Sequence, residues 1–240
     1  MSELASEPHP LTRQPVGLPV DARPSPRPGP VTLQGHYGRV ERLAPRHSDS
    51  LWDHVKDAGA IWTYIANSGP FTGKAAFDAW LTRRIAAEDP YAYAIVDRDE
   101  HVVGTATLMS IRPDMRVIEV GSIVYSPALQ RTPLGTETQY LFARYAIETL
   151  HYRRYEWKCD ALNAPSRRAA LRYGFVFEGL FRQHMISNGR NRDTAWFSIT
   201  DEEWPARKRA FETWLTPDNF STDGKQKQSL TALNAGAAVK

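Results

Sequence analysis

The sequence is poor in cysteine, in long apolar runs and in excess charge of one sign. A single cysteine, Cys159, among 240 residues excludes an intrachain disulfide and makes a reducing compartment the expected environment. No apolar run follows basic residues near the N-terminus, and no stretch is long enough to span a membrane, so we expect a cytoplasmic protein. A net charge of +3 favours anionic ligands but is too small to indicate nucleic acid.

Both ends of the chain are short of the apolar side chains that a packed core needs. Residues 1–30 hold eight of the 17 prolines and few large apolar residues, which predicts a disordered or extended arm. No aromatic residue follows Phe220, and we interpret 220–240 as a polar C-terminal tail, frayed or weakly helical. The remaining residues, 31–219, are predicted to form one folded domain.

Apolar periodicity inside this domain predicts helices mixed with strands. The stretch "DSLWDHVKDA" indicates a helix with Asp49 or Ser50 as its N-cap. A second helix is predicted in "GKAAFDAWLTRRIAAE", where the apolar face consists of Phe77, Trp80, Leu81 and Ile85. The charged turn Asp97–Glu100 joins two predicted strands, and Asn188-Gly189 predicts a later hairpin.

The middle of the domain is typical of a strand–helix–strand crossover over residues 117–161. The strands are "VIEVGSIVYS" and "RYEWKCDA", and Thr136 with Gln139 matches a capping box at the start of the helix between them. The apolar face of this helix consists of Leu141, Phe142, Tyr145, Ala146 and Leu150. With antiparallel hairpins before and after the crossover, the fold class is α/β (α+β) with a mixed sheet.

The segment "VYSPALQRTPLGTETQ" runs from a strand end through a tight loop into a helix. The unpaired N–H groups and the dipole of a helix N-terminus attract anions. Gly135 permits close approach of a ligand and Arg131 adds a full charge, yet Pro133 has no N–H to donate. From the residues alone, this segment is a damaged anion cradle, a modified one or only a turn.

A second motif, "CDALNAPSRRAALRYGF", decides between these interpretations by resemblance. Asn163 is placed to cap a helix that Gly174 ends in a left-handed conformation. With the preceding loop, this stretch resembles the GNAT superfamily of acetyl-coenzyme A-dependent N-acetyltransferases. The most similar branch contains the Rim-type ribosomal-protein N-terminal acetyltransferases. The residues that match its pattern in order, within about residues 31–205, are Glu119, Pro127, Thr136-Glu137, Asn163, Ser166, Gly174-Phe175, Glu178-Gly179, Arg182, Asn188-Gly189 and Asp193.

The resemblance implies a GNAT-type, mostly antiparallel central sheet with flanking helices and a splayed parallel strand pair. It also implies acetyl-coenzyme A as the acetyl donor. The pyrophosphate would lie on the backbone amides around Arg131, Thr132, Leu134, Gly135 and Thr136. The pantetheine arm would pair with the strand end near Val124 and Tyr125, and Asn163 would order the next strand–helix junction and contact a pantetheine amide. Because the family's cradle glycines fall on Arg131 and Pro133, we expect a modified, functional cradle in which Arg131 compensates by charge.

Two residues are the candidates for catalysis. By resemblance, Glu119 is a general base, and the alternatives are an anchor for a substrate cation or a structural hydrogen-bond acceptor. Ser166 is placed to protonate the coenzyme A sulfur, although serine also favours helix starts for structural reasons. The tyrosine that serves as acid in many relatives is replaced here by Ala170.

The expected activity is transfer of an acetyl group to a primary amine by direct attack in a ternary complex. The acceptor is a protein N-terminus or a small amine, and Trp62 and Tyr64 are predicted either to line its pocket or to belong to the core. The alternative is a catalytically degenerate domain that senses acyl-coenzyme A or binds a partner protein. We expect no metal, nucleic acid or membrane partner, and a monomer or homodimer.

Overall fold

An eight-stranded mixed sheet forms the centre of the computed structural model, which describes residues 5–236. In spatial order its strands are β3 (Thr32–Gln34), β4 (Gly38–Arg42), β5 (Tyr91–Asp97), β6 (Val102–Arg112), β7 (Val117–Tyr125), β8 (Arg154–Asp160), β10 (Arg190–Thr200) and β9 (Val176–Ser187). All neighbours are antiparallel except β7 and β8. A separate hairpin pairs β1 (Ser6–Pro8) with β2 (Pro15–Gly17). The predicted fold class is therefore confirmed.

Helices pack on both faces of the sheet, because central strands such as β5 carry apolar side chains on both sides. One cluster of buried side chains joins the sheet to α1 (Ser48–Val55) and α2 (Lys74–Ala86). A larger cluster joins it to α3 (Pro133–Arg144), α4 (Ala164–Arg172), α5 (Trp204–Leu215) and α6 (Leu230–Gly236). Alternate residues of β5 belong to the two clusters, as the two-residue period of a strand requires. We call the two sides the α2 face and the α3 face.

The parallel pair separates half-way along its length. β7 and β8 are paired only from Val117 with Arg154 to Val120 with Trp157. Beyond that point β7 continues beside β6, where a bulge shifts the register between Gly121 and Val124. Ser122 lies in this bulge with a positive φ of 46°. We call the space between 121–125 of β7 and 158–160 of β8 the gap.

Two helix starts differ from the sequence prediction. α1 begins at Ser48, before either of the predicted caps. α3 begins at Pro133 with Thr132 as its N-cap, so the capping box assigned to Thr136 and Gln139 was wrong. The reason is that proline is well suited to the first helical position, where no intrahelical N–H is needed, and the helix therefore starts one turn earlier.

Parts of the predicted arm and tail lie against the folded domain. Ser25 donates its hydroxyl to the His151 carbonyl at 3.0 Å, and the Gly29 N–H donates to the Tyr145 hydroxyl at 3.1 Å. At the other end, Leu230 of α6 is fully buried in the α3-face core. The boundaries at residues 31 and 219 remain a prediction, and residues 1–4 and 237–240 lie outside the described range.

We expect Leu230→Ala to lower the free energy of unfolding by about 2–5 kcal/mol, because it removes a fully buried side chain. Leu171→Ala on α4 is the matched control, since Leu171 is 52% exposed and its truncation should cost about 0.5 kcal/mol or less. Urea denaturation of both variants makes the measurement. Equal stabilities would show that the segment after Phe220 adds nothing to the core.

Candidate active site

The loop between β7 and α3 is held in one shape by its own hydrogen bonds. The N–H groups of Leu129 and Gln130 both donate to the Ser126 carbonyl at 3.0 Å. Arg131 then adopts a left-handed conformation with φ of 62°. The Thr132 hydroxyl donates to the Leu129 carbonyl at 2.8 Å and accepts from the Gly135 N–H at 3.1 Å, which fixes the start of α3. We call residues 126–135 the cradle.

Three of the five amides predicted to bind an anion remain open in the cradle. Pro133 occupies the first helical position, so its missing N–H breaks no helical hydrogen bond. The Gly135 N–H is taken by Thr132, and the Thr136 N–H lies where a helix pairs it with the N-cap carbonyl. Within residues 5–236, the N–H groups of Arg131, Thr132 and Leu134 have no hydrogen-bond partner. Three N–H groups at the start of α3 are thus left without a partner in the described residues despite the proline.

Tyr125 connects the cradle to the gap. The Ser126 N–H donates to Val103 of β6, so strand alternation turns Val124 toward β6 and the Tyr125 N–H toward the gap. The Tyr125 hydroxyl donates to the Gly135 carbonyl at 2.9 Å and accepts from Gln139 at 2.8 Å. Burial raises the pKa of this phenol well above its usual range, which keeps it protonated. Of the two predicted strand-end residues, Tyr125 is the one with a backbone donor facing the gap.

Glu119 is part of a buried ion-pair network. Its Oε2 accepts from the Ser110 hydroxyl and from Lys158 Nζ, both at 2.9 Å. Lys158 also pairs with Glu156 at 2.8 Å. Burial raises the pKa of Glu156, but hydrogen bonds from Arg154 and Lys158 outweigh it, and the net shift is downward. Glu119 Oε1 accepts no hydrogen bond from the described residues.

Ser166 lies in the first turn of α4, behind the Asn163 cap. The Asn163 side chain accepts from the Ser166 N–H at 3.1 Å, which confirms the predicted cap. The Ser166 hydroxyl accepts from the Trp157 indole at 3.0 Å. Burial raises the pKa of the neighbouring Cys159 thiol, and its hydrogen bond with Ser166 opposes that rise. The buried thiol agrees with a structural role for Cys159.

Glu119 and Ser166 approach the gap from opposite sides of the sheet. Glu119 alternates with Ile118 and Val120, which belong to the α3-face core, so its carboxylate is on the α2 face. Trp157, the partner of Ser166, belongs to the α3-face core. Parallel pairing ends at Val120 and Trp157, so the gap begins next to the strand position of Glu119 and next to the Trp157 partner of Ser166.

The two predicted pocket residues have different surroundings. Trp62 is 2% exposed and packs edge-on against Phe71 and Trp80, with ring centroids 5.1 and 5.4 Å apart, so we assign it to the core. Tyr64 is 39% exposed, and its hydroxyl donates to the Leu162 carbonyl at 3.3 Å. It therefore links the segment after α1 to the loop after β8, across the end of the gap.

Several residues of the site were not found from the sequence. In the sequence, Lys158 alternates with apolar residues and is typical of a lysine on the solvent side of a strand. The structure instead places it between the carboxylates of Glu119 and Glu156. Gln130 donates to the Tyr125 carbonyl at 2.9 Å, which depends on the loop conformation. A signal was present for Thr132, because threonine before proline at a helix start is a recognised N-cap pattern.

One side-chain group outside the gap has the donor set of a metal site. Asp97, Asp99 and His101 come together at the exposed β5–β6 turn. The Asp97 carboxylate accepts from the N–H groups of Asp99 and His101, both at 2.9 Å, and these bonds explain the arrangement as a turn.

Among the helices of residues 5–236, none has the length and apolar character of a membrane-spanning segment.

Comparison with known proteins identifies the family. The family model for the acetyltransferase (GNAT) domain matches residues 39–176. The chain belongs to the GNAT acetyltransferase family. It is similar to a GCN5-related N-acetyltransferase from Brucella melitensis, with 45% identity, a TM-score of 0.86 and coverage of 89% of this chain and 98% of that one. A protein from Chromobacterium violaceum, described as a probable GNAT acetyltransferase, is 34% identical with a TM-score of 0.75. The match covers 82% of this chain and 100% of that one.

The Rim-type branch is a more distant likeness. The ribosomal-protein-S5-alanine acetyltransferase from Vibrio fischeri is 15% identical with a TM-score of 0.59, and the match covers 72% of this chain and 98% of that one. A likeness at this identity shows the fold alone. No curated protein matches the chain. The protein is thus a GNAT acyltransferase, and acetyl-coenzyme A is the donor that GNAT domains generally use.

We expect strong coupling between Lys158 and Glu119 in a double-mutant cycle of Lys158→Met and Glu119→Gln. Each single variant leaves a buried charge with fewer partners and should lose about 2–4 kcal/mol of unfolding free energy. The double variant should lose at least about 1 kcal/mol less than the sum of the two. Lys56 and Asp53 form an exposed ion pair at the similar distance of 2.8 Å and provide the control cycle, with coupling of about 0.5 kcal/mol or less. Equal coupling in the two cycles would contradict a buried network.

Proposed function

We propose that the protein transfers the acetyl group of acetyl-coenzyme A to a primary amine by direct attack in a ternary complex. The observation that carries the proposal is the gap itself. It opens beside a cradle with three unpaired amides, and it has a carboxylate on one side of the sheet and a hydroxyl on the other. A donor molecule threaded through the gap would present its thioester between Glu119 and Ser166.

The donor would bind by its charged and its peptide-like parts. The unpaired N–H groups of Arg131, Thr132 and Leu134 would hold the pyrophosphate at the positive end of α3. The exposed Arg131 guanidinium would add a charge-assisted contact. The Tyr125 N–H faces the gap and would donate to the thioester carbonyl, where negative charge develops during attack.

Two side chains would transfer protons in the reaction, Glu119 as the acceptor and Ser166 as the donor. Glu119 Oε1 would accept a proton from the ammonium of the acceptor, directly or through water, while Lys158 and Ser110 hold Oε2 in place. The amine nitrogen then bonds to the carbonyl carbon, the carbon–sulfur bond breaks, and the departing thiolate takes a proton from the Ser166 hydroxyl or from water. Tyr173 is buried against Trp157, which favours packing over acid catalysis for this residue.

A binding-only domain is the second candidate function. Two of the five predicted amides are taken, Gly135 by the Thr132 cap and Thr136 by the helix, and Pro133 adds no N–H. Glu119 is also neutralised in part by Lys158. Both features favour an acyl-coenzyme A sensor. The free Oε1 of Glu119 and the intact Ser166–Trp157 contact favour the enzyme.

Thiol release from acetyl-coenzyme A, measured at steady state against a panel of primary amines and peptide N-termini, tests the proposal. We expect turnover that depends on the amine and saturates with it. Ser166→Ala should lower kcat by about 10²-fold or less if water can substitute, and Glu119→Gln should lower kcat/KM for the amine and remove the acidic limb of its pH profile.

The binding of coenzyme A should survive in both variants, and isothermal calorimetry provides that control. Binding without turnover of any amine would support the sensor. Wild-type rates in Glu119→Gln and Ser166→Ala would show that neither residue takes part. The acceptor type, the Rim-type branch, a cytoplasmic location and a monomeric or homodimeric state are part of the same proposal.

Arg131→Ala should weaken coenzyme A binding about tenfold at low salt, and the loss should shrink as salt screens this exposed charge. Pro133→Gly should change the affinity little, because a gained N–H is offset by greater freedom of the unbound loop. Calorimetric titrations at two salt concentrations compare the variants. If Arg131→Ala binds as tightly as wild type at low salt, charge does not compensate for the missing amide.

A further inference from the structure

Arg84 occupies a position on α2 that a core residue would normally fill. The buried residues of this helix are Phe77, Trp80, Leu81 and Arg84. The sequence pattern predicted Ile85 as the fourth member, but Ile85 is only half-buried and Arg84 is 9% exposed. The Arg84 guanidinium lies 4.8 Å from the centre of the Trp80 ring. A charged side chain has therefore been placed inside the α2-face core.

This buried charge has no carboxylate partner in residues 5–236. Nη2 donates to the Ser122 carbonyl at 3.2 Å, and that is the one hydrogen bond of the guanidinium there. Nε is buried without a partner. By contrast, Arg39 and Arg154 each pair with two glutamates. Burial lowers the pKa of Arg84 to about 10, so the side chain stays charged at neutral pH. Buried charges in proteins are normally paired, so an unpaired buried cation is costly and an anion that paired with it would reduce this cost.

The position of Arg84 relates it to the candidate active site. Its partner Ser122 is the bulge residue of β7, between Glu119 and Tyr125, at the edge of the gap. Arg84 comes from α2, and the Glu119 carboxylate lies on the same face of the sheet. Glu119 and Ser122 are three residues apart in the chain, so their Cα atoms are separated by about 10 Å at most. An anionic group and a cationic group thus flank the acceptor side of the gap.

We propose that Arg84 binds a carboxylate of the acceptor, so that the substrate is a primary amine that also carries a carboxylate, as in an amino acid. The inference rests on the proposed function. Glu119 would receive the ammonium end of the substrate and Arg84 the carboxylate end, which matches a zwitterion. Lys158 is not available to bind a substrate carboxylate in place of Arg84, because it already pairs with Glu119 and Glu156. The open nitrogens of Arg84 can donate to a carboxylate without breaking a bond within the protein.

The wild-type protein gives the first test. Straight-chain ω-amino acids, from glycine to 6-aminohexanoate, are compared with amino alcohols and amino amides of the same length. We expect kcat/KM to be about 10- to 100-fold higher for the best amino acid than for its alcohol or amide, the range of one charged hydrogen-bonded contact. Butyrate, which has no amine, should inhibit competitively against the amine, and butyramide should not.

Variants of Arg84 give the second test. Arg84→Met should remove both the carboxylate preference and the inhibition by butyrate, while acetylation of amino alcohols stays within about threefold of wild type. Arg84→Lys should restore part of the preference, because it keeps the charge without the planar fork. Arg83→Met is the matched control, since its neighbour Arg83 is exposed on the same helix and should behave as wild type. Thermal denaturation verifies that each variant is folded.

The outcomes separate the two hypotheses. Acetylation of amines with no preference for a carboxylate, and no inhibition of the wild type by butyrate, would overturn the role of Arg84 and leave the proposed function intact. No acetylation of any amine would overturn the proposed function instead. A purely structural arginine would lower stability in Arg84→Met without changing the ratio of amino acid to amino alcohol. The wild-type panel decides the question even if that variant does not fold.

Discussion

The separation of β7 from β8 is the constraint on which the candidate site depends. A parallel pair that stayed in register would leave no passage through the sheet, because each strand would satisfy the backbone groups of the other. Here pairing ends at Val120 and Trp157, and the bulge at Ser122 lets β7 follow β6 instead. The Tyr125 N–H at the end of β7 is thereby turned away from β6 and toward the gap.

The cradle shows how a proline can be accommodated in an anion-binding loop. A helix N-terminus leaves four N–H groups unpaired, and proline at the first helical position removes only one of them. Thr132 then satisfies a second, on Gly135, and gives the helix a defined start. Arg131 adopts a left-handed conformation, which glycine adopts without strain and other residues adopt less readily.

The buried charged side chains near the gap have two kinds of surroundings. Glu119, Glu156 and Lys158 lie together on the α2 face, where each charge is held by an opposite one. Such a network costs desolvation but leaves no group alone, so it can position Glu119 accurately. In the described residues, Arg84 of α2 is held by a carbonyl and an aromatic ring and by no carboxylate. The proposal that Arg84 binds a substrate carboxylate rests on this contrast between a paired network and an unpaired cation.

The sequence by itself determined the fold class and the order of the helices and strands from α1 to β10. Alternation in "RYEWKCDA", helical spacing after Phe77 and the Asn188-Gly189 turn are local patterns, and each local preference agrees with the final sheet. The Asn163 cap was predictable for the same reason, since its partner is three residues away.

The tertiary structure alone decided which groups are free to act. The sequence predicts the same backbone contact for Val124 and Tyr125. Pairing with β6 uses the Val124 N–H, and of the two it is the Tyr125 N–H that faces the gap. Lys158 meets Glu119 across two strands, and Arg84 reaches the bulge from a helix 38 residues earlier in the chain. These contacts depend on strand register and on long-range packing, which no local pattern encodes, because a shift of one residue would turn every side chain to the opposite face.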